Sequence, residues 1–415
     1  MARQRIFPRE KYLSRLRPFY DSDIIKVVTG IRGSGKTCIL KEAMDELSSR
    51  GIDPRRIAYL PLDRRGFRQV RTSEQLEARI ESMIPPEGPC HLLIDEAQRV
   101  EGFDRVALAY AEDGFSVFLS CTQSCRLSEA FTTKLTGRYL KFEVFPLDFR
   151  EYLEMKGQLR AGGIGGIDEE FCSYLQDGGF PETLKLPSTA VRRERVRAIA
   201  SEILKSDARA RRRISNLKAF LKVQSYLLSH CASPLSIQCL LKQLAQEGIR
   251  AKAKTVRGYV RDLKEAGIIH ECRRFDLKLG RMLARSPKIY PADLSLCHLD
   301  GPGSGLDRAK ALECLVYLYL ESLGHEVNAC SIGDLECSLI CQGGGHGRAC
   351  IQVAYSMHGG SREDDDGIWE KACRPFWRIR DGYPRVIISL DKHRDQRYGV
   401  RHINAVDLFL GKEKI

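Results

Sequence analysis

The sequence predicts an α/β chain: a parallel sheet covered by helices, then a basic helical region, then a smaller α/β portion. Three observations carry this. The first third alternates β-branched or apolar runs with helix-like stretches. A glycine-rich octet lies between the first such run and the helix after it. Beyond Val191 the chain turns helical and strongly basic, and a Gly/Pro loop at Asp300–Gly305 sets off the last portion.

Taken in order, Ile24–Thr29 is a β-branched run and Cys38–Ser49 the helical stretch behind the glycines. Arg56–Leu62, His91–Ile94 and Phe115–Ser120 read as further strands, and Tyr139–Phe145, just before Pro146, as a fifth. Ala161–Asp168 (AGGIGGID) reads as a loop, and Gly178–Gly179 with Pro181 as a turn. Helical periodicity marks Asn216–His230, Ser236–Gln246 and Lys254–Ala266. Two strand-like pieces, Ile268–Phe275 and Lys288–Tyr290, complete the order helix, helix, helix, hairpin, which is that of a winged helix. The tail opens with an amphipathic helix, Asp307–Leu323. Strands at Glu326–Cys330, Leu335–Cys341 and Cys350–Tyr355 follow, then a helix near Ile368–Ile379 and a strand at Val386–Leu390. The acidic run Glu363–Asp366 reads as a solvated loop. The expected division is 1–150, a helical connector 151–215, a winged helix 216–299, and a tail 306–415.

Bulk properties narrow the class. A chain of 415 residues exceeds one ordinary core. With 43% hydrophobic and 29% charged residues it is globular, not disordered. No apolar run is long enough to cross a bilayer. The start, MARQRIFPREKYL, has basic residues but no apolar stretch behind them, so the cytoplasm is the expected location. The 15 cysteines are scattered from Cys38 to Cys373 without a C-x-x-C pair, which predicts reduced thiols and neither zinc nor disulfides. A net charge of +13 favours polyanionic partners, although solubility alone also explains a basic surface.

The octet GIRGSGKT (Gly30, Ile31, Arg32, Gly33, Ser34, Gly35, Lys36, Thr37) fits the P-loop pattern G-x-x-x-x-G-K-[ST] between a strand and a helix. Glycines let backbone N–H groups turn inward around phosphates, and the new helix adds its positive end. Lys36 is placed to reach the β- and γ-phosphates of ATP, and the Thr37 hydroxyl to bind Mg2+. Four fixed positions match by chance on the order of one time in fifty in such a chain, before the placement is counted. The strand His91–Ile94 ends in Asp95–Glu96. Asp95 is expected to hold Mg2+ and Glu96 to orient and deprotonate the attacking water.

With IKVVTGIRGSGKT and LLIDEAQRV stand LTGRYLKFEVFPLDFREYL, GGFPE, KIYPADLSL and IQVAYS. On these segments the chain resembles prokaryotic AAA-like P-loop ATPases carrying a C-terminal domain of unknown function. The resemblance implies an AAA-like sheet in which the Asp95 strand lies beside a sensor strand, itself next to the P-loop strand. The family's Thr-Gly-Ser-Asn-like sensor turn corresponds to Ser120–Cys121–Thr122–Gln123, where Gln123 stands in for the amide and the glycine is missing, so slow hydrolysis is expected. Arg138 matches the family's Gly-Arg-Tyr and contacts a γ-phosphate in cis or from a neighbouring subunit, or else pins its loop to a carboxylate. Arg9 and Arg32 match family positions without an assigned role.

In the third helix of the middle region Val256, Tyr259, Val260 and Leu263 line one side, while Arg257, Arg261 and Lys264 recur on another. Such a row suits DNA phosphates, with Arg273, Arg274, Lys278 and Arg281 on the wing; a solvated face is the competing reading. The tail's element order resembles the restriction-endonuclease-like fold. Its active members place Asp and Glu-x-Lys on neighbouring strands, where this chain has Glu336–Cys337–Ser338, with Glu336 and Ser338 expected on one face by strand alternation, and Gln352–Val353–Ala354–Tyr355. Glu313 and Asp334 are the other acids available there, and a degenerate, non-cutting tail is expected. The expected activity is an ATP-driven switch acting on a macromolecular partner, DNA or a protein, with no oligomeric state assigned. The alternative is a DNA-binding regulator or defence-type protein in which ATP is structural.

Overall fold

A computed structural model describes residues 7–85, 88, 90–122, 138–159, 165–206, 214, 216–299, 306–343, 347–359, 361–379, 382–392 and 396–415. The chain separates into two compact units, Met1–Phe145 and Pro146–Ile415.

In the first unit β1 (Ile25–Thr29), β2 (Ile57–Pro61), β3 (His91–Asp95), β4 (Ser116–Ser120) and β5 (Tyr139–Glu143) form a five-stranded sheet among the described residues. Its order is β2-β3-β4-β1-β5 and every pairing is parallel. Helices α1 (Glu10–Leu16) and α2 (Lys36–Ser49) bring Tyr12, Leu13, Ile39, Leu40 and Leu47 against Val28, Leu93 and Phe118. On the other face α3 (Ser73–Glu81) and α4 (Phe103–Glu112) bring Leu76, Ile80 and Val106 against Val27, Leu92 and Ile94. A sheet covered on both faces needs no polar alternation, which is why β1 and β4 are buried at all five positions each. Since β4 separates β1 from β3, the loop after β1 and the end of β3 open at the same carboxyl edge of the sheet. This is the strand order that the family resemblance implies.

The second unit starts with helices α5 (Phe149–Leu159), α6 (Ile167–Asp177) and α7 (Thr189–Ser206). The loop expected through Asp168 gives way to α6 at Ile167, whose first turn carries Asp168, Glu169 and Glu170, acids favoured by the helix dipole. Three of the quoted segments meet here. Leu147 N donates to Gly179 O at 2.7 Å, and Gly179 N donates to Asp293 Oδ2 at 2.7 Å. Gly178 takes φ 71°, and a Cβ there would lie 1.9 Å from Asp293 Oδ1, so the GGFPE and YPADLSL segments need glycine at their contact. Burial raises the Asp293 carboxyl to about 6 against the hydrogen bonds from Ser295 and Gly179.

Next come α8 (Leu217–Ser229), β6 (Ser233–Pro234), α9 (Ile237–Gln246), α10 (Ala253–Glu265), β7 (Ile269–Asp276) and β8 (Arg281–Pro291). Asn216 and Ser236 cap α8 and α9 through their side chains, as residues of those types do at helix starts. The tail comprises α11 (Arg308–Ser322), β9 (Glu326–Ile332), β10 (Leu335–Gln342), β11 (Arg348–Val353), α12 (Arg362–Cys373), β12 (Arg385–Ser389), β13 (Gln396–Arg397), β14 (Val400–Asn404) and α13 (Ala405–Phe409).

Three expectations change. The hairpin β7–β8 does not end a separate winged helix: β7 pairs in parallel with β9, Arg274 opposite Ala329. Segments 216–299 and 306–415 therefore share one nine-stranded sheet among the described residues, ordered β13-β14-β12-β11-β10-β9-β7-β8-β6. The helix α11, expected to be amphipathic, is buried at every position from Ala311 to Tyr317, since it packs on β8–β11 and on the turn Leu294–His298. Finally, Glu363–Asp366 is no loop but the start of α12, where Ser361 accepts from Asp364 N and the acids face the positive end of the helix.

Candidate nucleotide site

The loop after β1 owes its path to glycine. Gly30 has φ 146°, and a Cβ on it would meet Val144 O at 2.2 Å. Gly35 is the N-cap of α2 and brings no side-chain cap, so the first N–H groups of that helix keep their outward bonding capacity. Lys36 is buried, and its Nζ donates to Gly30 O at 3.0 Å and Ile31 O at 3.2 Å. Burial draws its ammonium below the ordinary lysine value, and the charges of Glu96 and Asp95 oppose that shift. The lysine and both acids therefore belong to one electrostatic site.

Arg9 braces the loop from within the fold. It is 2% exposed, and its Nη1 donates to Ser34 O at 2.8 Å and Phe145 O at 3.0 Å. Arg9 N donates to Glu42 Oε2 at 3.2 Å, and burial raises the Glu42 carboxyl to about 7. Arg32 and Thr37 lie half-buried on the loop and in the first turn of α2.

At the end of β3 the two acids are fixed by one hydroxyl. Ser120 Oγ, on β4, donates to Asp95 Oδ1 and accepts from Glu96 N at 2.9 Å. Tyr59 OH, on β2, donates to the other oxygen of Asp95 at 3.0 Å. Burial, then the Asp95 charge, pushes the Tyr59 hydroxyl well above its ordinary value, so it remains a donor. Glu96 takes the left-handed conformation, φ 60° and ψ 43°, which turns its side chain out of the strand; Gln98 Nε2 donates to Glu96 Oε2 at 2.9 Å. Sequence patterns single out neither Ser120 nor Tyr59 as a support for Asp95. The only available sign is a polar group at a strand position otherwise filled by apolar side chains.

The residues present fit a triphosphate with Mg2+. Glycine at positions 30, 33 and 35 keeps Cβ atoms off the loop, and Ser34 Oγ and Thr29 Oγ1 are buried without a hydrogen-bond partner among the described residues. Thr37 and Asp95 supply the oxygen donors that Mg2+ prefers.

Other expected residues fall elsewhere. Gln123 lies outside the described residues. Arg138 is exposed, and its carbonyl accepts from Ile25 N at 2.9 Å, so it stands level with the start of β1. The P-loop follows the opposite end of that strand, about 13 Å away at the strand rise. Of the readings expected for Arg138, a γ-phosphate contact in cis gains no support from this placement. Arg257 and Arg261 are exposed on α10, with Val256, Tyr259, Val260 and Leu263 buried behind them. Lys264, the third of the row, instead pairs with Glu271 Oε2 at 2.7 Å.

The acids of the tail do not converge. Lys288 Nζ donates to Glu313 Oε1 at 3.0 Å and Tyr290 OH donates to the same oxygen at 2.7 Å, while Glu336 pairs with Arg274 at 2.9 Å. A bulge between Cys337 and Leu339 breaks the expected alternation, leaving Glu336 exposed and Ser338 buried, with Ser338 Oγ accepting from Val353 N at 3.1 Å. No group of three or more His, Cys, Asp or Glu among the described residues is placed to hold a metal ion.

Residues 22–153 match the family model described as AAA domain, and residues 168–302 match a domain of unknown function. An uncharacterized protein of Haemophilus influenzae is 24% identical over 97% of this chain and 98% of its own length. An uncharacterized protein of Methanocaldococcus jannaschii is 25% identical over 84% of this chain and 79% of its own. Among solved structures, the Walker-type ATPase of Pyrococcus abyssi aligns over 72% of this chain and 98% of its own, at 16% identity and a TM-score of 0.49.

Proposed function

The chain belongs to the AAA-like P-loop ATPases that carry a C-terminal region of unknown function, and on that premise we propose that it binds Mg-ATP at Gly30–Thr37 and hydrolyses it slowly to switch a macromolecular partner. The observation that carries the reading is the shared carboxyl edge, where buried Lys36 feels the charges of Asp95 and Glu96.

In this reading Lys36 Nζ exchanges the carbonyls of Gly30 and Ile31 for β- and γ-phosphate oxygens. Mg2+, when bound, would supply charge neutralisation, and Thr37 and Asp95 would hold it, Asp95 being kept in place by Ser120 and Tyr59. Glu96 orients the attacking water and accepts its proton as oxygen attacks the γ-phosphorus and ADP leaves. Gln98 steadies the carboxylate, and the backbone turn at Glu96 aims it.

Phosphate release and fluorescent-nucleotide binding test this on wild type, Lys36→Ala and Glu96→Gln. Lys36→Ala is expected to lose binding; Glu96→Gln is expected to keep binding and lose turnover by roughly 100-fold or more. Equal phosphate release by all three proteins ends the hydrolysis reading.

A second reading, a DNA-binding regulator in which ATP is structural, draws on Arg257 and Arg261, exposed and without an ion pair among the described residues. It expects duplex DNA affinity to fall steeply with salt, with a shallower slope in the Arg257→Ala/Arg261→Ala double variant. No mobility shift at low salt removes it.

A further inference from the structure

Far along the chain from the P-loop, the tail exposes two large aromatic rings in contact with one another. Trp377, on the short turn Phe376–Arg378 after α12, is 48% exposed, and Tyr398, between β13 and β14, is 63% exposed. Their ring centroids are 6.0 Å apart at 89°, so each ring covers only part of the other. The tail's other tryptophan, Trp369, is fully buried beneath Arg397, which is how such a side chain serves a core. Trp377 and Tyr398 are not used that way.

The backbone beneath Tyr398 makes the exposure more telling. Tyr398 has φ 55° and Gly399 φ 70°, the pair of left-handed residues required by a two-residue hairpin turn. The first position of such a turn favours Asn, Asp or Gly, and a bulky aromatic there is a conformational outlier. The hairpin thus holds a strained tyrosine whose ring gains little burial in return, a combination that points to a ligand.

The charge around the rings selects the ligand. Arg374 and Arg378 flank Trp377 in the chain; both are exposed and make no ion pair among the described residues. Asp366 of α12 pairs with Arg397 at 2.6 Å and Glu413 with Arg401 at 3.2 Å, while Glu370, one turn before Arg374, is exposed. Exposed ring faces beside uncompensated guanidinium groups suit a polyanion that also carries flat apolar faces. Single-stranded nucleic acid has both, whereas a duplex hides its base faces in its own stack. We infer that Trp377 and Tyr398, with Arg374 and Arg378, form a stacking platform for single-stranded nucleic acid, separate from the P-loop and from the α10 arginines.

The test uses the full chain and a labelled 15-nucleotide oligothymidylate, with a duplex of equal length and poly-glutamate as competitors. The oligothymidylate is expected to bind and to quench tryptophan emission, and Trp377→Phe should remove that quenching, since the other tryptophan is buried. Trp377→Ala and Tyr398→Ala should each weaken binding roughly ten-fold. Arg374→Ala/Arg378→Ala should flatten the salt dependence. Tyr398→Asn serves as the folding control: it suits the turn, so its melting temperature should hold or rise while affinity falls as in Tyr398→Ala. Lys36→Ala should bind the strand like wild type, which separates this outcome from any failure of the ATPase reading. Unchanged affinity in the aromatic variants, equal competition by duplex or by poly-glutamate, or no binding by wild type overturns the inference.

Discussion

At the scale of single residues, the same chemical type serves opposite ends depending on where the sheet puts it. Lys36 and Lys26 are both buried in the first unit. Lys36 sits at the carboxyl edge, where the charges of Asp95 and Glu96 oppose the effect of its burial and its Nζ holds the carbonyls of Gly30 and Ile31. Lys26 lies inside β1; its Nζ donates to Ser22 O at 2.9 Å and Ser116 Oγ at 2.8 Å, above the Phe118 ring. Burial draws Lys26 down to about 7, against the pull of Asp21 and Asp23. Between pH 7 and the ordinary lysine value of 10.5 the unfolded chain holds this proton while the folded one has lost it. Stability is therefore expected to rise with pH across that window, by roughly a few kcal/mol in total, and to be flat in this respect below 7. Lys26→Met should abolish the rise. Urea unfolding at a series of pH values checks this, and parallel curves for both proteins would refute it. The P-loop residues were legible because their spacing alone defines them. Ser120 and Tyr59 were not, because their roles depend on which strands become neighbours of β3.

At the scale of elements, strand pairing redistributes charged side chains that look functional in sequence. Glu313 looked available to a metal site, yet α11 carries it against β8, where Lys288 and Tyr290 both donate to it. Removing one member of a buried pair strands the other. Lys288→Met is expected to destabilise the chain by about 3–5 kcal/mol, whereas Lys288→Met/Glu313→Gln should recover most of that loss, because glutamine still accepts from Tyr290. Denaturant midpoints decide the matter; an equal loss in single and double variants would sink the account. Similarly, the bulge at Ser338 turns a hydroxyl expected beside Glu336 into the interior, while Glu336 meets Arg274 of β7. Periodicity located β10 to within a residue at each end, but a one-residue insertion in the ladder reverses the faces and leaves no mark in the hydrophobic pattern.

At the scale of the whole molecule, the AAA domain places its two candidate site components at one edge and Arg138 at the other. From that edge, we propose that the γ-phosphate contact implied for Arg138 by the family resemblance is made to a neighbouring copy. Arg138→Ala is then expected to bind ATP but lose turnover, and mixing it with inactive Lys36→Ala should restore part of the activity, since mixed neighbours combine an intact P-loop with an intact arginine. Full activity of Arg138→Ala alone would return Arg138 to a structural role. By itself the sequence determined the P-loop, the acids after β3, the parallel sheet of the first unit and helices α2, α8, α9, α10 and α11, since each follows from spacing, capping or apolar runs within a few residues. The tertiary structure decided what remote residues meet: β7 joining β9 in one sheet, Asp293 closing on Gly179, and Ser120 locking Asp95. Those contacts depend on strand order and register, which are settled by the burial of whole faces and not by any local run of residues.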